Sequence, residues 1–327
     1  MHRSISRRHL VLSSLATGAG LTSLPSLAQD FPRAGMNLKY VVPFPAGGLT
    51  DMIARSVAQR ISEDWKVPFL VENKAGGNGQ IGADQVAKGP SDGSQVLAIT
   101  LTHAANFSLF PAAPYNFVKD LRPVALLAGS PMLIVVPTNS PIASFKDLIA
   151  VSKTKMLNAG SSGNGTPPHL TMALFNDLNK SKMTHVPYRG GVPSITDLIG
   201  GTLDIIFSNF PESIAHVKSG KLKALAICSL GRNPLLPDVP SAFEAGMAGL
   251  FVENWTAAMV HAKTPDAIVD KYAREMIKVM YSRDVEDRAK VQGFKIAPKG
   301  TAEFAGFLQS EISRWSRLIK TAKITAT

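Results

Sequence analysis

Cysteine is nearly absent from this chain, with Cys228 the single example in 327 residues. That excludes an internal disulfide framework and a thiolate zinc cluster. Cys228 follows the apolar run Leu225-Ala226-Ile227 and is expected to be a core thiol. Acidic residues are in deficit, 24 against 35 Lys and Arg, for a net charge of +11. Aromatics make up only 7% of the chain, and its basic residues are scattered rather than interleaved with them in one patch, so nucleic acid is not an expected partner. Arg314, Arg317, Lys320 and Lys323 do gather, but at the spacing of a solvated helix face. The seven histidines form no His-Glu-x-x-His pair, and neither a Gly-x-Ser-x-Gly elbow nor a phosphate loop ending in Gly-Lys-Ser/Thr occurs. Catalysis therefore has no anchor, and no metal or cofactor is expected.

Long apolar runs are also lacking. The run within the first 28 residues is too short and too rich in Gly, Ser and Thr to span a bilayer. Those residues hold no acid, start basic (Arg3, Arg7, Arg8) and end Ser26-Leu27-Ala28, the pattern of a cleaved export signal. Ser6-Arg7-Arg8-His9-Leu10 reads as a twin-arginine signal. Removing residues 1–28 leaves 299 residues, enough for two domains, and lowers the net charge from +11 to +8. The expected product is soluble, periplasmic and biased toward anionic partners.

Two glycine-rich stretches are present, and they share a design. Pro43 to Asp51 follows Tyr40-Val41-Val42 and opens an amphipathic pattern; Gly160 to His169 follows Met156-Leu157-Asn158-Ala159 and opens another. A strand, a glycine turn and a helix N-terminus together present free N–H groups and partial positive charge to an anion. Between and beyond them, short Val/Ile-rich strands alternate with helical patterns. Strands are expected at 38–43, 68–72, 95–101, 123–128, 132–137, 156–159, 183–187, 203–208, 222–229 and 255–260. Helices are expected at 50–63, 79–88, 144–153, 168–179, 192–200, 211–219, 240–245, 265–281, 284–291 and 301–321. This is an α/β architecture, doubly wound with parallel sheets. A second run of elements starts near Gly129-Ser130-Pro131 and returns near Lys221 to Ser229. The expected division is therefore 29–127 with 230–327 as one lobe and 128–229 as the other, joined by two segments that act as a hinge around a cleft.

Several motifs resemble one family along essentially the whole mature chain. They are Pro43-Phe44-Pro45-Ala46-Gly47-Gly48 with Asp51, Val71-Glu72-Asn73-Lys74-Ala75-Gly76-Gly77-Asn78-Gly79, Pro90-Ser91-Asp92-Gly93 and Ser162-Gly163-Asn164-Gly165 with His169-Leu170. His185-Val186-Pro187-Tyr188-Arg189-Gly190 and Arg232 with Leu236-Pro237-Asp238-Val239-Pro240 continue the series. In these the chain resembles the substrate-binding proteins of tripartite tricarboxylate transporters, often called Bug proteins. Trp65-Lys66 and Ser241 depart from the usual pattern without disturbing the fold. The resemblance implies a type II periplasmic binding protein, monomeric and two-lobed. It would clamp a small carboxylate (a di- or tricarboxylate, an aromatic acid or an acidic amino acid) and deliver it to permease subunits. Presentation of the ligand to a two-component sensor is the alternative.

The resemblance places the ligand at Phe44, Pro45, Ala46, Gly47, Gly48 and Asp51 in one loop and at Ser161, Ser162, Gly163, Gly165, Thr166 and His169 in the other. The residue chemistry agrees on several points. Gly47 and Gly48 allow close approach to backbone N–H groups, and Pro45 stiffens the turn. Asp51 lies in a first helical turn, where it caps N–H groups, fixes the loop, holds a water or meets a ligand amino group. Thr166 precedes Pro167 as an N-cap precedes a first-turn proline. The hydroxyls of Ser161 and Ser162 are either carboxylate donors or turn formers. His169 either meets the cleft or caps the loop from behind. Tyr188 and Arg189 follow a strand end, where Arg189 offers a bidentate carboxylate contact or an interdomain ion pair. Thr102, His103 and Asn106 follow one strand and Asn209 another; Thr102, His103 and Asn209 are the expected specificity residues.

Overall fold

One long strand organises the molecule, seen in a computed structural model that describes residues 31–326. The proposed export signal lies outside the described residues. Strand β4 (Leu121–Pro137) runs for 17 residues and is buried along nearly its whole length. The expectation of two strands broken at Gly129-Ser130-Pro131 is corrected here: the backbone continues and only its partners change. Leu121 to Pro131 pair antiparallel with β9 (Glu253–His261), whereas Met132 to Val135 pair antiparallel with β7 (Ile205–Asn209). Pro131 has no N–H to donate and sits at that change of partner, where a missing ladder bond costs least.

On either side of β4 the same arrangement appears twice. In the first half β1 (Leu38–Val42) lies between β2 (Phe69–Asn73) and β3 (Gln95–Thr100), all parallel. In the second, β5 (Leu157–Ser161) lies between β6 (Met183–Pro187) and β7, again parallel. The full order is β2-β1-β3-β9-β4-β7-β5-β6, with β8 (Leu222–Ile227) and β10 (Lys295–Lys299) also pairing with β4. The sheet is thus mixed, parallel on both flanks and antiparallel at its centre. Helices α1 (Leu49–Trp65) and α5 (Pro167–Asn179) follow β1 and β5. Both glycine-rich stretches are therefore the strand-to-helix turn that follows the middle strand of their parallel trio, at its carboxyl end. That is where α/β sheets bind ligands.

Helix α1 places Ile53, Val57 and Ile61 at four-residue spacing, each no more than 1% exposed. It stops at Lys66, which takes the left-handed conformation (φ 57°). The last helix, α10 (Thr301–Thr321), buries Phe304, Leu308, Ile312 and Trp315 along one stripe, each side chain contributing about 1.5–3 kcal/mol. Glu311 lies on the same stripe and accepts hydrogen bonds from the indoles of Trp255 (2.8 Å) and Trp315 (3.0 Å). Three local expectations fail. Residues after β3 form α3 (Leu101–Leu109) rather than a loop, 240–245 makes turns rather than a helix, and β10 was not anticipated.

The chain crosses β4 a second time on its return. Cys228 N–H donates to the Met132 carbonyl (2.8 Å), and Val252 N–H donates to the Cys228 carbonyl (3.0 Å). The Cys228 thiol is fully buried, and burial raises its pKa. The apolar core is continuous from Val41 and Leu97 to Phe175 and Phe207, and from Pro32 onward the chain forms one compact unit. Among the described residues no helix is long and apolar enough to cross a membrane.

Candidate ligand-binding site

The first turn is held from within by Asp51, which is only 4% exposed. Its carboxylate accepts from Gly47 N–H (3.0 Å), Arg55 Nε and Nη2 (3.0 Å each) and Asn73 Nδ2 (2.9 Å). Burial raises the Asp51 pKa, but the Arg55 hydrogen bond, then those from Gly47 and Asn73, and the Arg55 charge outweigh it and hold the group below the usual carboxylate range. Asn73 Nδ2 also donates to the Phe44 carbonyl (3.1 Å), pinning the turn at its other end. Asp51 is therefore a loop anchor, and the Gly47 N–H expected to face a ligand is spent on it. What stays open lies one residue on. Gly48 is the N-cap of α1, and a Cβ built there meets nothing within 4 Å. The N–H groups of Gly48, Leu49 and Thr50 find no acceptor among the described residues. Pro45 and Ala46 are exposed beside them.

The second turn is braced from behind by two imidazoles. His169 and His185 stack with centroids 3.7 Å apart and planes 8° from parallel. His169 Nδ1 accepts from Gly165 N–H (3.0 Å), and His185 Nε2 lies 2.6 Å from Ser161 Oγ, which itself accepts from Gly163 N–H (3.1 Å). Burial lowers the His169 pKa to about 3, helped by the neighbouring His185, and burial lowers His185 to about 4. Both rings are neutral at ordinary pH, as the Gly165 bond requires. Of the two roles open to His169, the geometry is the cap from behind. Thr166 is the N-cap of α5, yet its hydroxyl donates back to the Gly163 carbonyl (2.6 Å) instead of accepting from the helix. Ser161, 1% exposed, has its hydroxyl committed inward; that of half-buried Ser162 has no partner among the described residues. A serine–histidine contact can mark an activated nucleophile, but this serine is sealed from substrate.

The second turn meets the first half of the molecule at Gly165. It has φ +68°, and a Cβ built on it would overlap Leu109 of α3 and lie 3.1 Å from Asn78 Nδ2. Asn78 and Asn106 exchange hydrogen bonds (Asn78 Nδ2 to Asn106 Oδ1 and Asn106 Nδ2 to the Asn78 carbonyl, both 2.8 Å), which fixes the first-half side of this contact. Gly163, at φ +131°, lies against the Tyr188 carbonyl.

The expected specificity residues are placed differently. Thr102 and His103 are each 1% exposed in the first turn of α3, where Thr100 N–H donates to His103 Nδ1 (3.2 Å) and Thr102 N–H to Thr100 Oγ1 (3.2 Å). Neither presents a surface to a ligand. His103 packs edge-on against Phe44 (5.7 Å), and burial lowers its pKa to about 4. Tyr188 donates its hydroxyl to Asp197 (2.6 Å), which with burial raises its pKa to about 12. Arg189 is exposed and forms no ion pair among the described residues. Asn209 is 8% exposed and has both amide atoms engaged, accepting from Asn254 Nδ2 (2.9 Å) and donating to Glu212 (3.0 Å).

Sequence reasoning missed Asn73, Arg55, His185, Asn254 and Glu212 as parts of this site. Asn73 and Asn209 share one legible signal, a polar residue at the carboxyl end of a parallel strand. A separate cavity of about 800 Å³ opens behind the second turn, bordered by His169, His185, Asn164 and residues 322–325. It also reaches Met156 and Met183, at the opposite ends of β5 and β6 from the two turns. Among the described residues no group of three or more His, Cys, Asp or Glu is placed to hold a metal ion.

Residues 53–324 match the family described as the tripartite tricarboxylate transporter family receptor. Protein BugT of Bordetella pertussis is 30% identical, over 97% of this chain and 98% of its own. The R. palustris protein Rpa4515, solved with adipate, superposes with a TM-score of 0.84 at 31% identity, covering 90% of this chain and 99% of that one. MatC from Rhodopseudomonas palustris, solved with bound malate, gives 0.78 at 30% identity over 86% and 98%. The α/β architecture with its twice-repeated parallel trio is shared with these binding proteins, and the chain belongs to the tripartite tricarboxylate transporter receptor family, the solute-binding proteins also called Bug proteins.

Proposed function

We propose that this chain is an exported, periplasmic, monomeric binding protein that captures a small carboxylate between its two halves and hands it to a membrane permease. The observation that carries this reading is the pair of equivalent strand-to-helix turns, one in each half, with the halves in contact where Gly165 packs on Leu109 and Asn78. One offers the unspent N–H groups of Gly48, Leu49 and Thr50, the other the free Ser162 hydroxyl. Both helix N-termini favour an anion, and the mature charge of +8 favours its approach. Residues 29–127 with 230–327 form one lobe and 128–229 the other. Closure occurs where β4 changes partners at Pro131–Met132 and where the return passes Cys228. The role is binding rather than catalysis, in keeping with the burial of the Ser161–His185 contact. The proteins solved with adipate and malate make those two acids the first to test.

Calorimetric titration of the purified mature chain against adipate, malate, citrate, nicotinate, aspartate and glutamate tests the reading. Saturable one-to-one binding of at least one is expected, with a ligand-dependent rise in melting temperature. Silence across the whole panel overturns the carboxylate assignment.

A further inference from the structure

Beside the second turn, at the start of α7 (Phe210–Lys218), stands a carboxylate where an anion-binding rim has least use for one. Glu212 is half-buried, and its carboxylate lies directly over the Cα of Gly191, the first residue of α6 (Gly191–Ile199). Both helices begin at the carboxyl ends of parallel strands, on the rim that carries Ser162. The turn leading to Gly191 is tied to the second cradle by Gly190 N–H donating to the Ser162 carbonyl (3.3 Å).

The acid has one donor. Asn209 Nδ2 reaches Glu212 Oε1 at 3.0 Å, while Oε2 has no partner among the described residues and is not sealed from solvent. The buried acid of the candidate site, Asp51, carries a bidentate arginine. Nothing comparable serves Glu212: Arg189, two residues before Gly191, is exposed and unpaired. The helix N-termini supply only partial charge. Burial raises the Glu212 pKa, opposed by the single Asn209 bond.

The network behind this acid has a direction. Asn254 Nδ2 donates to Asn209 Oδ1 (2.9 Å), Asn209 Nδ2 donates to Glu212, and Asn254 Oδ1 is left buried without a partner. Both amide donations in the series run toward the carboxylate, so the network presents Glu212 as an acceptor.

We infer that Glu212 is a specificity-determining residue that selects carboxylates also carrying an ammonium group. This rests on the carboxylate-binding reading above and narrows it. The ligand carboxylate engages the glycine turns while its ammonium donates to Glu212 Oε2. A carboxylate of the same length without the amino group leaves Glu212 facing it unpaired, so the residue discriminates by repulsion as well as attraction. Gly191 is required because any side chain there would occupy the place of the carboxylate.

Calorimetry on matched pairs tests this: succinate against aspartate, glutarate against glutamate, adipate against 2-aminoadipate, with the natural chain and with Glu212→Gln. A charge-assisted hydrogen bond of this kind gives a preference of about tenfold or more for the amino member of the best-fitting pair. Glu212→Gln keeps the shape and the Asn209 contact, and should abolish or reverse that preference by weakening the amino acid and strengthening the unsubstituted acid. Glu212→Asp, the second variant, keeps the charge but draws it back, and should retain a reduced preference. Equal affinities in the natural chain, tighter binding of the unsubstituted acids, or a preference that survives Glu212→Gln would each overturn the inference while leaving carboxylate binding intact. A natural chain that binds no member of any pair overturns the carboxylate reading and this inference with it. The comparison in the natural chain needs no variant to fold.

Discussion

Replacing Asp51 with Asn probes the anchor of the first turn. The carboxylate receives four hydrogen bonds, from Gly47, Asn73 and twice from Arg55. An amide is nearly isosteric but has one acceptor oxygen, and its NH2 faces an arginine N–H in either orientation, together with Gly47 N–H in one and Asn73 Nδ2 in the other. At least two charge-assisted bonds are lost, each contributing about 1.5–3 kcal/mol where the donor is buried. Arg55 is half exposed and regains water, so its share is discounted. The expected loss is about 2–3 kcal/mol at pH 7, read by urea unfolding. The folded-state pKa of Asp51 is lowered, so its contribution is present above the unfolded value of about 3.9 and disappears as pH falls through the folded value. The gap between natural chain and Asp51→Asn should therefore be full at pH 7 and narrow below about pH 4. A gap of the same size at pH 3 would refute the charge argument and leave only shape.

Further expectations concern the two turns. His169 and His185, with pKa values lowered to about 3 and about 4, should still show neutral imidazole resonances by NMR at pH 5; a midpoint above 6 for either contradicts the stacked brace. Because the unfolded rings titrate near 6.5, they lower stability by up to about 1.4 kcal/mol per pH unit each as pH falls from there toward their folded values. Gly165→Ala forces a side chain into the left-handed region, at about 1–2 kcal/mol, and against Leu109; adding Leu109→Ala should recover the steric part in urea unfolding. A Gly165→Ala chain as stable as the natural one contradicts the packing of the second turn on α3. Gly48→Val meets open space within the protein, so folding stability should change by less than about 1 kcal/mol while affinity for every carboxylate drops. Unchanged affinity would place the ligand elsewhere.

The two turns were legible because their signal is local: an apolar strand, glycines and a helical pattern follow one another in the chain. The failures come from information that lies elsewhere. Gly129-Ser130-Pro131 looks like the end of a strand, and only the presence of β9 and β7 on successive stretches keeps β4 continuous. Lys295 to Lys299, with a proline and two lysines, has little strand character of its own and is drawn into the sheet by β4. Thr102, His103 and Asn106 sit after a strand, as binding residues do, but Thr100 starts a helix there and turns them inward. Glu212 was invisible for the same reason. Its significance depends on lying over Gly191 and next to Asn209, contacts that exist only once α6, α7 and β7 are assembled.

Backbone amide NMR of the labelled mature chain, titrated with the tightest acid from the calorimetric panel, tests the central claim most directly. The account predicts the largest shifts at the N–H groups of Gly48, Leu49 and Thr50 and at Ser162, saturating with the calorimetric affinity. Shifts confined to the cavity beside His185 and residues 322–325, with both turns unmoved, would contradict it.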